Sequence, residues 1–124
     1  MASLADVAER IIEDRGGQCA TMELHKLVVM AHGFRIRYDR LPLLNDAVTL
    51  GDYGPRVPAL FEITDGPVVE TGIGNADRLT KDEQKVIDET VSQYGVFNGL
   101  ELAETITELG LFDTIELHRL REQS

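Results

Sequence analysis

Tryptophan is absent from this 124-residue chain, cysteine occurs once, and aromatic residues make up only 6% of it. With Cys19 alone, neither an internal disulfide nor a multi-thiolate zinc site can form, and an unpaired thiol suits a reducing compartment. Positive charge is scarce: 12 Lys and Arg stand against 22 Asp and Glu, a net charge of -10. Phosphate backbones and anionic membrane surfaces repel such a surface, so neither direct nucleic-acid binding nor membrane association is expected. Apolar runs fall far short of the roughly 20 residues that cross a bilayer. The opening Met1-Ala2-Ser3-Leu4-Ala5-Asp6 has neither the basic nor the apolar stretch of a secretory signal. The expected setting is therefore cytoplasmic.

What is present is globular: 43% hydrophobic and 27% charged residues, enough for one core in a single domain over residues 1–124. Charge is uneven, with residues 1–45 balanced, 46–79 at -4 and 80–124 at -6. Leu4, Val7, Ala8, Ile11 and Ile12 keep helical spacing, with Ser3 as the expected cap, Asp6 completing a near capping box, and Gly16-Gly17 as the stop. A second helix is expected to be capped by Thr21 and to bury Leu24, Leu27, Val28, Ala31 and Phe34. Its period runs through Gly33 to Tyr38.

Turn residues follow at Leu41-Pro42-Leu43. The β-prone Val48-Thr49-Leu50 is expected to pair with Val68-Val69. Tyr53-Gly54-Pro55 is expected to turn the chain into a helix, with Val57, Leu60 and Phe61 inward and Pro58 in the first turn. Gly72-Ile73-Gly74-Asn75 reads as a loop. Thr80 with Glu83 makes a capping box for a helix burying Val86, Ile87, Val91 and Tyr94. Asn98 opens another with Leu102, Ala103, Ile106 and Leu109, and Ile115, Leu117 and Leu120 form a terminal one. These signals predict a mainly α fold, a compact bundle of about six helices with a small two-stranded β element.

Catalytic constellations are missing. His25 and His32 share one helix side roughly 10 Å apart, too far to share a zinc, and read, like His118, as surface residues. Cys19 has no local nucleophile signature and reads as a half-buried loop residue. Gly72-Ile73-Gly74-Asn75 looks like a fragment of a phosphate loop, but no strand leads in correctly and no Lys-Ser/Thr follows. Carboxylate pairs such as Asp88/Glu89 and Glu101/Glu104 read as solvated helix faces. No catalytic residue, metal or cofactor is expected. Arg35, Arg37 and Arg40 form the one basic cluster, read either as complementing a helix C-terminus or as docking an acidic partner or the chain's own acidic C-terminal part.

The order of these pieces resembles the Panacea domain, the SocA-like, phage-associated antitoxin domain. The residues that carry it are Asp6-Val7-Ala8, Leu24 with Lys26-Leu27, Ala31 with Gly33-Phe34, Pro42-Leu43, and Tyr53-Gly54-Pro55 with Val57-Pro58 and Leu60. The chain departs from the pattern in lacking a C-terminal tryptophan and in placing Arg56 after Gly54-Pro55. The resemblance implies a non-enzymatic protein that binds and neutralises a co-encoded toxin in a bacterial host cell, in some members as a Clp protease adaptor. The expected partner is a cognate toxin or a host protein. Tyr53, Arg56, Arg35, Arg37 and Arg40 are the candidate partner-binding residues. Leu24, Lys26, Leu27, Gly33, Pro42, Tyr53, Gly54 and Pro55 are the candidate scaffold, with the Tyr53 ring expected over the core edge. The net charge of -10 supports an alternative: a phage effector that binds a host protein by mimicking nucleic-acid charge.

Overall fold

The structure is a computed structural model in which residues 1–123 are described. Its centre is α2 (Thr21–Asp39), buried without interruption from Leu24 to Phe34. A helix buried on every side has no outer face for polar residues. His25, Lys26 and His32 therefore lie inside, at 3–4% exposure, and the two histidines are not the surface residues the pattern suggested. Around α2 stand α1 (Leu4–Asp14), α4 (Lys81–Tyr94), α5 (Gly99–Glu108) and α6 (Leu111–Gln123), with the short α3 (Pro58–Ile63) beyond. The mainly α, six-helix expectation agrees with this arrangement.

Helix α2 runs through Gly33 because Leu111 of α6 packs there: a Cβ at Gly33 would sit 3.1 Å from its side chain. The Thr80 and Asn98 capping boxes are both formed, each with its reciprocal Glu. Other local expectations give way to long-range partners. Ser3 makes no side-chain cap bond, and Asp6 instead accepts the Asn75 N–H at 2.8 Å. Thr21 lies inside α2 rather than capping it, and its hydroxyl donates to the Gly66 carbonyl at 2.6 Å.

The β structure is two antiparallel pairs. Strand β2 (Thr49–Gly51) pairs with β3 (Gly54–Arg56), while β1 (Gln18–Ala20) pairs with β4 (Val68–Glu70). Val68-Val69 thus joins Gln18–Ala20 instead of the Val48 segment, and Cys19 is a buried strand residue opposite Val69, not a loop residue. Pro55 lies in β3, and the proline that opens α3 is Pro58. Phe61, Tyr38, Leu109, Leu117 and Leu120, which the pattern placed on inner faces, are exposed; Phe61 and Tyr38 lay one side of the ring against His25 and Phe34.

Besides the Asp6–Asn75 bond, Arg10 and Glu9 tie α1 to the rest. Arg10 donates both of its bonds to Asp88 of α4 at 2.8 Å. Glu9, 5% exposed, accepts the N–H groups of Gly72, Ile73 and Gly74 at 2.8, 3.0 and 3.3 Å. The loop that resembled a phosphate cradle therefore holds the chain's own carboxylate.

Candidate functional site

Lys26 is the starting point, because a buried ammonium must be hydrogen-bonded. It projects from α2 beneath the β2–β3 hairpin and donates to the carbonyls of Tyr53 at 2.6 Å and Pro55 at 3.0 Å. Burial first, and the nearby Arg56 second, lower its pKa. The carbonyls it holds come from a tight turn in which Gly54 takes φ 96°, a left-handed conformation that suits glycine. Tyr53 contributes its backbone to this anchor, while its ring stays 74% exposed and does not cover the core edge.

Across from the hairpin lies α5. Its Leu102 and Ile106 are buried. A second stripe of Leu100, Ala103, Glu104, Thr107 and Glu108 has the i, i+3, i+4, i+7, i+8 spacing of one helix face; Ala103 is half-buried beside Gly54 of the hairpin, and Leu100, Glu104, Thr107 and Glu108 are exposed. Between this stripe and Asp52-Tyr53-Gly54 runs an open groove of about 620 Å³, with Met22 and Lys26 at its base. Leu100 is 70% exposed at the rim. Asp52, Glu104 and Glu108 also line it, and none of the three is ion-paired or hydrogen-bonded through its side chain within the described residues. Among the described residues the one lining cation is Lys26, whose charge is directed at carbonyls. The groove is therefore apolar along its walls and anionic at its edge.

The structure brings together only part of the expected partner-binding set. Tyr53 lines the groove, and Arg56 sits on the same hairpin, 5.7 Å over the Phe61 ring. Arg35, Arg37 and Arg40 lie at the far end of α2, about 16 Å along the helix from Lys26. They diverge there. Arg35 pairs with Asp39 at 2.8 Å. Arg37 donates to the Leu109 carbonyl and the Thr114 hydroxyl, both at 2.7 Å, at the α5–α6 corner. Arg40 ends α2 in a left-handed conformation at φ 61°. Arg37 thus docks the chain's own C-terminal part, one of the two roles the sequence left open. The groove face of α5 escaped the sequence reading, although Leu100 stood outside the buried stripe and marked a second apolar side.

The buried histidines are held neutral. Thr64 donates its hydroxyl hydrogen to the Leu60 carbonyl at 2.8 Å, so the bond of 3.2 Å to His25 runs from the imidazole Nε2–H. His32 Nδ1 accepts from the N–H groups of Leu43 and Leu44, fixing a neutral ring. Burial lowers both to about 4, with Lys26 adding to the effect on His25 and His118 to that on His32. Burial pushes the Cys19 thiol up to about 11, which leaves it protonated and unreactive. Among the described residues no three His, Cys, Asp or Glu side chains converge as a metal site, and no helix is long and apolar enough to cross a membrane. No protein-family model, curated protein or solved structure matches the chain.

Proposed function

We propose that this chain is a non-catalytic protein-binding domain of antitoxin type, which neutralises a co-encoded toxin by stoichiometric contact. The observation that carries this reading is the open apolar groove beside Tyr53-Gly54-Pro55, edged by three unpaired carboxylates. Apolar walls supply burial on association, and the charges select the partner and orient its approach. The ordered motifs from Asp6 to Leu60 support the antitoxin form, in which the bound toxin is delivered to a Clp protease.

Co-expression with the product of the neighbouring small open reading frame tests it. The expected result is restored growth and a stable complex on gel filtration. A neighbour that is harmless when expressed alone, or that stays toxic beside an abundant and folded antitoxin, overturns it.

One observation favours a second reading. The whole net charge of -10 resides in residues 46–124, as suits an effector that occupies a host protein's nucleic-acid site. Such a mimic loses its partner steeply as salt rises and competes with DNA. Complex formation indifferent to DNA removes it.

A further inference from the structure

We infer that the groove along α5 receives a basic amphipathic helix from the partner protein; this rests on the protein-binding reading above and gives it a surface. The groove-facing stripe of α5 runs from Leu100 to Glu108, about 12 Å along the axis, the length of a little over two turns of a second helix. Ala103 lies at its middle beside Gly54 of the hairpin, and two residues that small keep the floor of the groove low. Leu100 and Tyr53 flank it as exposed apolar walls. A helix lying there buries its own apolar residues at i, i+3 and i+7 between them.

The charge pattern sets the chemistry of that helix. Glu104 and Glu108 are one turn apart on the groove side of α5, and Asp52 faces them from the hairpin. All three are unpaired, and the ammonium of Lys26 is occupied by the Tyr53 and Pro55 carbonyls. Lys or Arg residues spaced one turn apart on either side of an apolar stripe complement this edge. An acidic helix would meet three carboxylates, and an uncharged one would leave them uncompensated.

Three synthetic peptides of about 15 residues test the assignment: a Leu/Lys amphipathic helix, a scrambled sequence of identical composition, and a Leu/Glu analogue. Binding is followed at near-physiological salt by amide chemical shifts of the full chain. The expected result is that the Leu/Lys helix binds about tenfold or more tighter than the other two, with the largest shifts in residues 52–54 and 99–108. L100R and the double variant E104K/E108K, which alter exposed side chains, each weaken it about tenfold while the circular dichroism spectrum is unchanged. Equal binding of the scrambled peptide, shifts centred elsewhere, indifference to both variants, or no binding by any peptide overturns the assignment.

Co-expression separates this inference from the function it rests on. If the variants still neutralise the neighbouring toxin, the groove assignment falls and the antitoxin reading stands. If the Leu/Lys helix binds as described and the wild-type chain neutralises nothing, the reverse holds.

Discussion

The junction of α1 with the loop 72–75 and the face of α5 beside the β2–β3 hairpin are made from the same materials: carboxylates, small residues and a tight turn. At the junction, Asp6 and Glu9 are buried and receive four backbone N–H groups, those of Gly72, Ile73, Gly74 and Asn75. Gly74 lies so close to α1 that a Cβ there would collide with the Ala5 carbonyl. Along α5 and the facing hairpin, the carboxylates of Glu104, Glu108 and Asp52 are exposed with no side-chain partner among the described residues, and the small residue Ala103 lines the groove. The difference separates groups committed to holding the fold from groups left free for contact with another molecule. Carboxylates alone do not distinguish the two; their partners do.

The largest expected effect breaks the committed side through acid. The folded pKa values of His25 and His32, about 4, lie below the ordinary value of 6.5. The stability this represents is present above pH 6.5 and lost as pH falls toward 4. Each neutral ring corresponds to about 3 kcal/mol across that interval. Chemical denaturation at stepped pH is expected to show a steep loss below pH 6, and the single variants H25Q and H32Q each to flatten it. A pH-independent midpoint from 7 to 4 would contradict the buried, neutral assignment.

E9A comes next. It leaves the Gly72, Ile73 and Gly74 N–H groups without their acceptor, an expected loss of about 3 kcal/mol, visible as a lowered Tm and as fast amide exchange confined first to residues 72–74. K26M removes the donor shared by the Tyr53 and Pro55 carbonyls and is expected to cost about 2 kcal/mol. It links the two regions, because the hairpin that walls the groove loses its anchor. Peptide binding is therefore expected to fall along with Tm, unlike in E9A.

Asp14 sharpens the comparison from the opposite sign. Burial first, and its hydrogen bond and charge interaction with Asp88 next, raise its pKa to about 7, while the Arg10 bond holds Asp88 low. A carboxyl whose folded pKa is raised destabilises progressively as pH climbs from its ordinary value to the raised one, which partly offsets the histidines. D14N is expected to gain about 1 kcal/mol at pH 8, with the gain vanishing near pH 4. The smallest effect on stability belongs to L100R, within about 0.5 kcal/mol, because the side chain is exposed. A large loss of Tm in L100R would mean that the α5 stripe serves the fold.

Elements specified by near neighbours were legible in the sequence. The Thr80 capping box and the Asn98 cap lie within four residues of their partners, and the apolar period of α2 carries it across Gly33. Positions decided by distant chain segments were not. His25, Lys26 and His32 are held inside by Thr64, the Tyr53 and Pro55 carbonyls, and the Leu43–Leu44 amides, none of which periodicity along α2 can reveal. Val68-Val69 was expected beside Val48-Thr49-Leu50, but the turn at Asp52–Tyr53 gives the Thr49 strand to Gly54–Arg56, and Val68-Val69 pairs with Gln18–Ala20, a segment with no strand signal of its own. The groove is legible only in fragments. Tyr53 was singled out, but its relation to Leu100, Glu104 and Glu108 arises from the crossing of α5 over the hairpin. The sequence grouped Arg35, Arg37 and Arg40 by proximity along the chain, whereas Arg35 pairs with Asp39 and Arg37 reaches the α5–α6 corner once they are wound on a helix end.

The division of labour between the two regions is tested most directly by hydrogen–deuterium exchange of the intact chain, with and without the Leu/Lys amphipathic peptide. The account predicts that the amides of Gly72–Gly74 are already protected in the free protein and do not change. New protection on binding should fall on residues 52–54 and 99–108. Protection appearing instead at the end of α2 around Arg37 and Arg40, or a free loop at 72–74 that exchanges as fast as an unfolded chain, would contradict it.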